Sequence, residues 1–304
     1  MAQFRKNHEK QGNGGLVGKS TLFAIILAGL FYLFNLGKED GQQHRQDDGQ
    51  RVEIEFADDG YTLPEDFFPT STTGEIVKHT YYAMSYNEKH EQPEWVAYEL
   101  TKKNIQAKNV KRSGNFRPDP RVAKGSASKW DYKNSGYDRG HLVPAGDMNF
   151  NTKAMSETFY MSNMSPQIRN FNGGIWRELE ENVRDWAYRN EHLYIVSGPV
   201  LTKPIREQIG DNKVSVPEEY YKVILDYTGR EHKAIAFIMP NEKSNRRIMD
   251  YAVSIDEVEK ATGIDFFPNL ASSDEKDLEG NYDPRKWTID RRKEEDRIEK
   301  WNNR

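Results

Sequence analysis

An acid, a guanidinium and an imidazole fall within four residues in Tyr137-Asp138-Arg139-Gly140-His141-Leu142-Val143-Pro144. Residues 101–140, which lead into this segment, hold eleven Lys or Arg against three Asp, a local balance of +8. Phe116, Trp130, Tyr132 and Tyr137 sit among them. A basic stretch laced with aromatics suits contacts to phosphate, although a solvated surface loop has the same composition. Further on, Met161-Ser162-Asn163-Met164-Ser165-Pro166-Gln167 leads to Asn172, then to Gly-Gly-Ile-Trp-Arg-Glu-Leu-Glu, in which Glu180 falls. Singly, each polar residue has an ordinary explanation. Asn172 can be a helix N-cap, Glu180 a surface carboxylate and His141 a histidine bonded at a strand end. Their occurrence together points to chemistry.

Elements that could position these residues are legible nearby. Trp176, Leu179, Val183 and Trp186 recur at spacings of three, four and three, which predicts an amphipathic helix over 175–188 with one buried stripe. Asn172 then stands at its N-terminus. Glu180, eight residues on, lies about 80° around the axis at roughly 100° per residue, so the two share a flank. Glu75–Tyr82 and Glu94–Leu100 read as strands paired around a polar turn at 87–92. Further strands are expected over 192–200, 220–227 and 232–239, and a second helix over 254–261.

This block resembles the DNA/RNA non-specific endonuclease family, in its endonuclease G-like form. The matching residues are Asp138-Arg139-Gly140-His141, Asn163 in SNMSPQ, Asn172 in FNGG and Glu180 in WRELE. Similarity continues through Ser197-Gly198-Pro199, Val216-Pro217, Tyr221-Lys222-Val223-Ile224 and Met239-Pro240-Asn241, and spans approximately residues 75–270. The resemblance implies an α+β fold of the ββα-metal, or His-Me finger, type: a central antiparallel sheet flanked by helices. It implies His141 as the general base that takes a proton from the attacking water, a task suited to an imidazole of ordinary pKa near 6.5. It implies Asn172 as the direct ligand of a hydrated Mg²⁺, with Mn²⁺ a substitute, and Glu180 as the holder of water around that ion. Arg139 would support the transition state and Asn163 would orient the site. A further substrate-binding arginine falls at Arg112 or Arg117, and Arg184 joins them as a candidate nucleic-acid contact. DNA and RNA are both implied as substrates, cut with little sequence preference, because contacts to phosphate carry no base information. Relatives include dimers, so a homodimer is a further expectation. A catalytically silent relative that holds nucleic acid or a partner at a membrane is the alternative; the intact His141, Asn172 and Glu180 set disfavours it.

The whole-chain averages bound the rest. Mean hydropathy is −0.91 and 30% of residues are charged, which excludes a multi-span membrane protein. The absence of cysteine excludes disulfides, thiolate metal sites and a Cys nucleophile. The formal charge of −4 argues on its face against a polyanion partner, yet residues 38–66 alone carry ten acids against three bases. The net acidity therefore belongs to a spacer and not to the basic stretch before His141.

One apolar block interrupts the polar average. Thr21–Leu36 carries no charge, and from Leu16 only Lys19 breaks 21 residues, about 31 Å of helix at roughly 1.5 Å per residue. Arg5, Lys6, Lys10 and Lys19 precede or enter it, opposed by Glu9 alone, while Lys38, Glu39 and Asp40 follow. That asymmetry predicts a single-pass signal anchor with a cytoplasmic N-terminus and the remainder across the membrane, periplasmic or extracellular. The run ends Phe31-Tyr32-Leu33-Phe34-Asn35-Leu36 with no small-x-small site, which disfavours a cleaved signal peptide. The mitochondrial inner membrane is the alternative location. The organisation expected is a short N-terminus (1–15), an anchor (16–36), an acidic linker (37–72), a nuclease domain (73–271) and a loose charged tail (272–304).

Overall fold

The computed structural model describes residues 60–107, 109–229 and 231–303. The apolar run at 16–36, the segment before it and most of the linker lie outside the described residues. Among those described, no helix is long and apolar enough to cross a membrane.

The strands in chain order are β1 (Ile76–Lys78), β2 (Tyr82–Asn87), β3 (Gln92–Thr101), β4 (Asp138–His141), β5 (Met164–Gln167) and β6 (His192–Pro199). They continue with β7 (Gln208–Ile209), β8 (Val214–Ser215), β9 (Glu219–Asp226), β10 (Lys233–Pro240) and β11 (Ala252–Val253). The helices are α1 (Lys102–Gln106), α2 (Thr152–Glu157), α3 (Arg177–Asn190), α4 (Ile255–Thr262), α5 (Ser272–Gly280) and α6 (Arg291–Glu295). Seven strands form the central sheet in the order β1-β2-β3-β6-β9-β10-β11, every neighbour antiparallel.

Successive side chains of a strand point to opposite faces, so an unbroken apolar run demands cover on both sides. β9 shows this directly. Tyr220 and Ile224 join the core beneath α3, with Leu179, Val183 and Trp186. Tyr221, Val223 and Leu225 join the core beneath α4 and α5, with Ile255, Val258 and Leu278. The result is an α+β fold with helices on both faces of an antiparallel sheet. α4 is bounded as its residues dictate: Ser254 and Glu257 form a capping box, and Gly263 ends the helix at φ 73°.

Two expectations change. Residues 75–82 are not one strand: β1 stops at Lys78 and β2, not β1, pairs with β3. The chain turns because His79 leaves the ladder to pair its Nε2 with Asp119 Oδ2 at 2.9 Å, both side chains fully buried. The tail, expected to be loose, packs against α3. Trp287 is buried and meets Trp186 edge-on at 5.1 Å, while the Trp186 indole donates to the Thr288 carbonyl at 2.8 Å. Arg297 forms a buried ion pair with Glu178, and Asn302 donates to the Ser244 carbonyl at 2.8 Å. The tail's charges mask this because the groups that dock are few and widely spaced.

Candidate active site

β4 and β5 form a two-stranded ribbon beside the sheet, in the register Asp138↔Gln167, Gly140↔Ser165 and His141↔Met164. A Cβ on Gly140 would lie 2.2 Å from the Gln167 side chain, so the ribbon closes only with glycine there. Asn163 anchors the ribbon's far end. Fully buried, it accepts from the Val143 N–H at 2.9 Å and donates to the carbonyls of Val143 and Thr158 at 3.0 Å each. All three of these bonds go to backbone, so its part is structural support for the segment that follows His141.

His141 is buried between aromatic rings, 5.0 Å from Phe159 and 5.8 Å from Phe116, both edge-on. Its Nε2 has no hydrogen-bond partner among the described residues. Burial, then the positive charge of Arg112, push its pKa down to about 3, while a hydrogen bond with the Arg139 backbone works the other way. The imidazole is therefore neutral at neutral pH, with an unoccupied nitrogen able to take a proton.

Asn172 does not sit in a regular helix. Phe171–Trp176 is a π-helical turn broken at Gly174 (φ −98°, ψ −113°), and α3 proper begins at Arg177. The count of 100° per residue from Asn172 to Glu180 thus fails at the kink. Nor does the Asn172 side chain cap the helix: its Nδ2 donates to Asp138 Oδ2 at 3.0 Å, which leaves the amide oxygen for a ligand. Trp301 covers the same turn from outside, so close that a Cβ on Gly173 would fall 2.1 Å from its ring.

Glu180, on α3, is half-buried, and burial pushes its carboxyl pKa up; Lys222 and Arg184 pull it back down. Lys222 comes up from β9 on the same face, wholly buried, donating to Ser197 Oγ at 3.1 Å and lying 4.8 Å from the Trp176 ring centroid. Its own pKa is lowered by burial. Arg184 donates to Asp147 Oδ1 at 2.7 Å, and Tyr98 donates to Asp147 Oδ2 at 2.8 Å. The guanidinium of Arg184 is thus committed to the interior.

The structure separates the two arginine candidates. Arg117 stacks 4.0 Å over Tyr160 and donates to Asn115, to the Ser156 carbonyl and to Ser156 Oγ. Arg112 places its guanidinium 5.1 Å from the Phe159 centroid, and its charge acts on both His141 and Glu180. Arg112 faces the site; Arg117 braces the loop.

Arg139 is exposed, lies 4.0 Å over Phe116, and joins Asn172 in the wall of a cleft of about 370 Å³. Lys129, Trp130, Lys133 and Asp138 also line it. His141 and Glu180 are not in it, but Phe116 is, and it touches the His141 ring. Two participants escape the sequence pattern: Asp138 as the partner of Asn172, and Lys222 beneath the helix. A lysine inside an apolar strand was the one available signal for the second.

Residues 60–273 match the family model described as DNA/RNA non-specific endonuclease. The chain belongs to that family. It is accordingly a nuclease of the metal-dependent class. Human mitochondrial nuclease EXOG is 34% identical over 260 residues, covering 80% of this chain and 68% of that one. A nuclease of Nostoc sp. is 34% identical, covering 72% and 84%, and human mitochondrial endonuclease G 31%, covering 62% and 68%. The chain spans 68% of human EXOG, and 62% of the Xenopus laevis protein of that name. Among solved structures, the complex of EndoG with its inhibitor EndoGI matches with a TM-score of 0.65 at 32% identity, covering 72% of this chain and 96% of that one. The sheet and flanking helices are therefore the family's fold.

Proposed function

We propose that this chain is a Mg²⁺-dependent endonuclease that hydrolyses phosphodiester bonds of DNA and RNA with little regard to sequence. The observation that carries the reading is the unpartnered Nε2 of a neutral, buried His141, with Arg112 beside it. Water attacks phosphorus, its proton passes to His141 Nε2, and the bond to the 3′ oxygen breaks. Arg112 and Arg139 hold the phosphate by charge. A phosphate paired with Arg112 also cancels the charge that depresses His141, so substrate binding raises the basicity of the base when it is needed.

The residues fit a magnesium ion. Asn172 offers an amide oxygen held in place through Asp138, and Glu180 a carboxylate, both hard donors of the kind Mg²⁺ takes. Asn172 would hold the ion directly and Glu180 through water. When bound, the ion supplies positive charge to the phosphate and leaving oxygen as negative charge develops.

The apolar run at 16–36 supports an anchor, with the acidic linker holding the nuclease off the membrane on the side opposite the N-terminus. The mitochondrial names of several relatives favour the inner mitochondrial membrane over a cell envelope; one topology serves both. Protease protection of a tag after Asp40, in sealed organelles or cells, checks that topology.

Plasmid cleavage by the chain, with Mg²⁺ and with chelator, tests the reaction. His141→Ala abolishes turnover with metal binding retained, whereas Asn172→Ala weakens metal dependence and rate together. Nicking unchanged in His141→Ala sinks the proposal.

A further inference from the structure

Trp130 is 64% exposed, more than any other large apolar side chain among the described residues. An isolated surface aromatic needs no explanation, but this one stands in the wall of the cleft that also contains Asn172 and Arg139. Its neighbours are basic. Lys129 Nζ lies 5.1 Å and Lys133 Nζ 5.2 Å from the indole centroid.

The turn that presents the indole is rigid. Asp131, buried, accepts from the Ser128 N–H at 2.6 Å and from the Asn212 N–H and Nδ2 at 3.1 and 2.8 Å. The Trp130 N–H donates to Ser128 Oγ at 3.1 Å. Gly210, at φ +68°, passes so close to Asp131 that a Cβ would lie 2.3 Å from it. Tyr132 is buried with Met161 and Met164, the start of β5. Asp131 and Tyr132 are thus fixed to the fold, and Trp130 is left facing outward between the exposed Lys129 and Lys133.

We propose that Trp130 is a stacking platform for an unpaired nucleobase of the substrate, with Lys129 and Lys133 taking the phosphates beside that base. The proposal rests on the nuclease reading and extends it. Every base has a π-face, so an indole adds affinity without reading sequence. Bases within a duplex are already stacked and paired, and withdrawing one is unfavourable. The platform therefore favours single-stranded DNA, RNA loops and frayed or damaged sites over intact duplex. The cleft's volume falls within the range of about 300–1,000 Å³ typical of ligand sites.

The test measures binding of a labelled short single-stranded DNA, and of the matching duplex, to the full chain carrying His141→Ala, with Mg²⁺ present. Base–aromatic stacking is lost on alanine substitution with an effect of about fivefold to a hundredfold. Trp130→Ala is expected to weaken single-strand binding by about fivefold or more and duplex binding by less than about twofold. Trp130→Phe should restore most of the loss. Lys129→Ala and Lys133→Ala should weaken both forms and flatten the salt dependence. Being exposed, Trp130 can be replaced without loss of folding, which thermal unfolding of each variant verifies. Equal losses for the two DNA forms, or none for the single strand, overturn the platform. With wild-type cleavage intact, that result leaves the nuclease reading standing. Absence of wild-type cleavage sinks the nuclease reading, and with it the proposal.

Discussion

Replacing Arg297 by leucine asks whether the C-terminal segment belongs to the nuclease or merely trails from it. Arg297 and Glu178 have side chains only 3% and 2% exposed, and Arg297 also bonds the carbonyls of Ser244 and Arg246. Removing one member of a buried pair leaves an uncompensated charge and typically costs about 3–5 kcal/mol. Here protonation limits the loss. An unfolded glutamic acid has a pKa of about 4.3, so holding Glu178 neutral at pH 7 costs about 1.4 kcal/mol for each of roughly 2.7 units, close to 4 kcal/mol. For a domain of this size that is a fall in Tm of about 8–16 °C. The sign with pH follows. Burial already holds the Glu178 pKa above its ordinary value in the wild type, against the pull of Arg297. Losing Arg297 raises it further, so the deficit is small near about pH 4.3 and grows as pH rises until the variant's folded pKa is passed. Thermal unfolding of wild type, Arg297→Leu and Arg297→Leu with Glu178→Gln, at pH 5 and pH 7, measures this. The double variant should recover most of the stability at pH 7. A loss within about 0.5 kcal/mol, the range of ordinary surface substitutions, or a loss independent of pH, refutes the account of the tail as part of the packed domain.

The depressed His141 is expected to titrate near 3 in the free enzyme, so an acid limb of kcat/KM near neutral pH belongs to Glu180, whose pKa burial raises to about 7. His141 adds its own limb only near pH 3; the His141 limb of kcat, which reports the complex, lies at higher pH. Arg112→Met removes a depressing charge and should move the His141 titration upward, read by NMR of the ring. Asp138→Ala frees the Asn172 amide; the Mg²⁺ concentration for half-maximal activity should rise about 10–100-fold with kcat at saturating metal retained. Gly140→Ala drives a methyl into Gln167 and should lower stability by about 1–3 kcal/mol, with cleavage falling as β4 shifts; an unchanged Tm contradicts the close approach.

How far these features are legible in sequence depends on whether they are periodic. β6, β9 and β10 announce themselves as apolar runs, and their bounds fall within about a residue of those expected. The stripe of Trp176, Leu179, Val183 and Trp186 is all buried, as a helix packed on a sheet requires. Periodicity fails where the chain departs from regular geometry. The turn at Phe171–Trp176 looks like the start of the helix because its residues keep the apolar spacing, yet Gly-Gly permits the kink that presents Asn172. His79 sits in a strand-like string but turns inward to Asp119 because a buried hydrogen bond between residues forty apart overrides a local preference. Through-space pairs of this kind, Asn172 with Asp138 and Glu178 with Arg297, have no local signature.

The placement of charge explains how an acidic chain can hold a site for a polyanion. Asp147 and Glu180 lie on the inner side of α3, where Arg184 and Lys222 balance them. Burial pushes Glu180 toward the neutral form, and the two cations draw it back toward the carboxylate. The cleft outside this buried quartet has Lys129, Lys133 and Arg139 against the single carboxylate of Asp138, and Asp138 is already engaged by Asn172. The net charge seen by a nucleic acid approaching the cleft is therefore positive whatever the total for the chain. Lys222 is the cation that weighs most on Glu180. Even with Lys222 and Arg184 beside it, burial holds the Glu180 pKa up at about 7, and losing the Lys222 charge would raise it further.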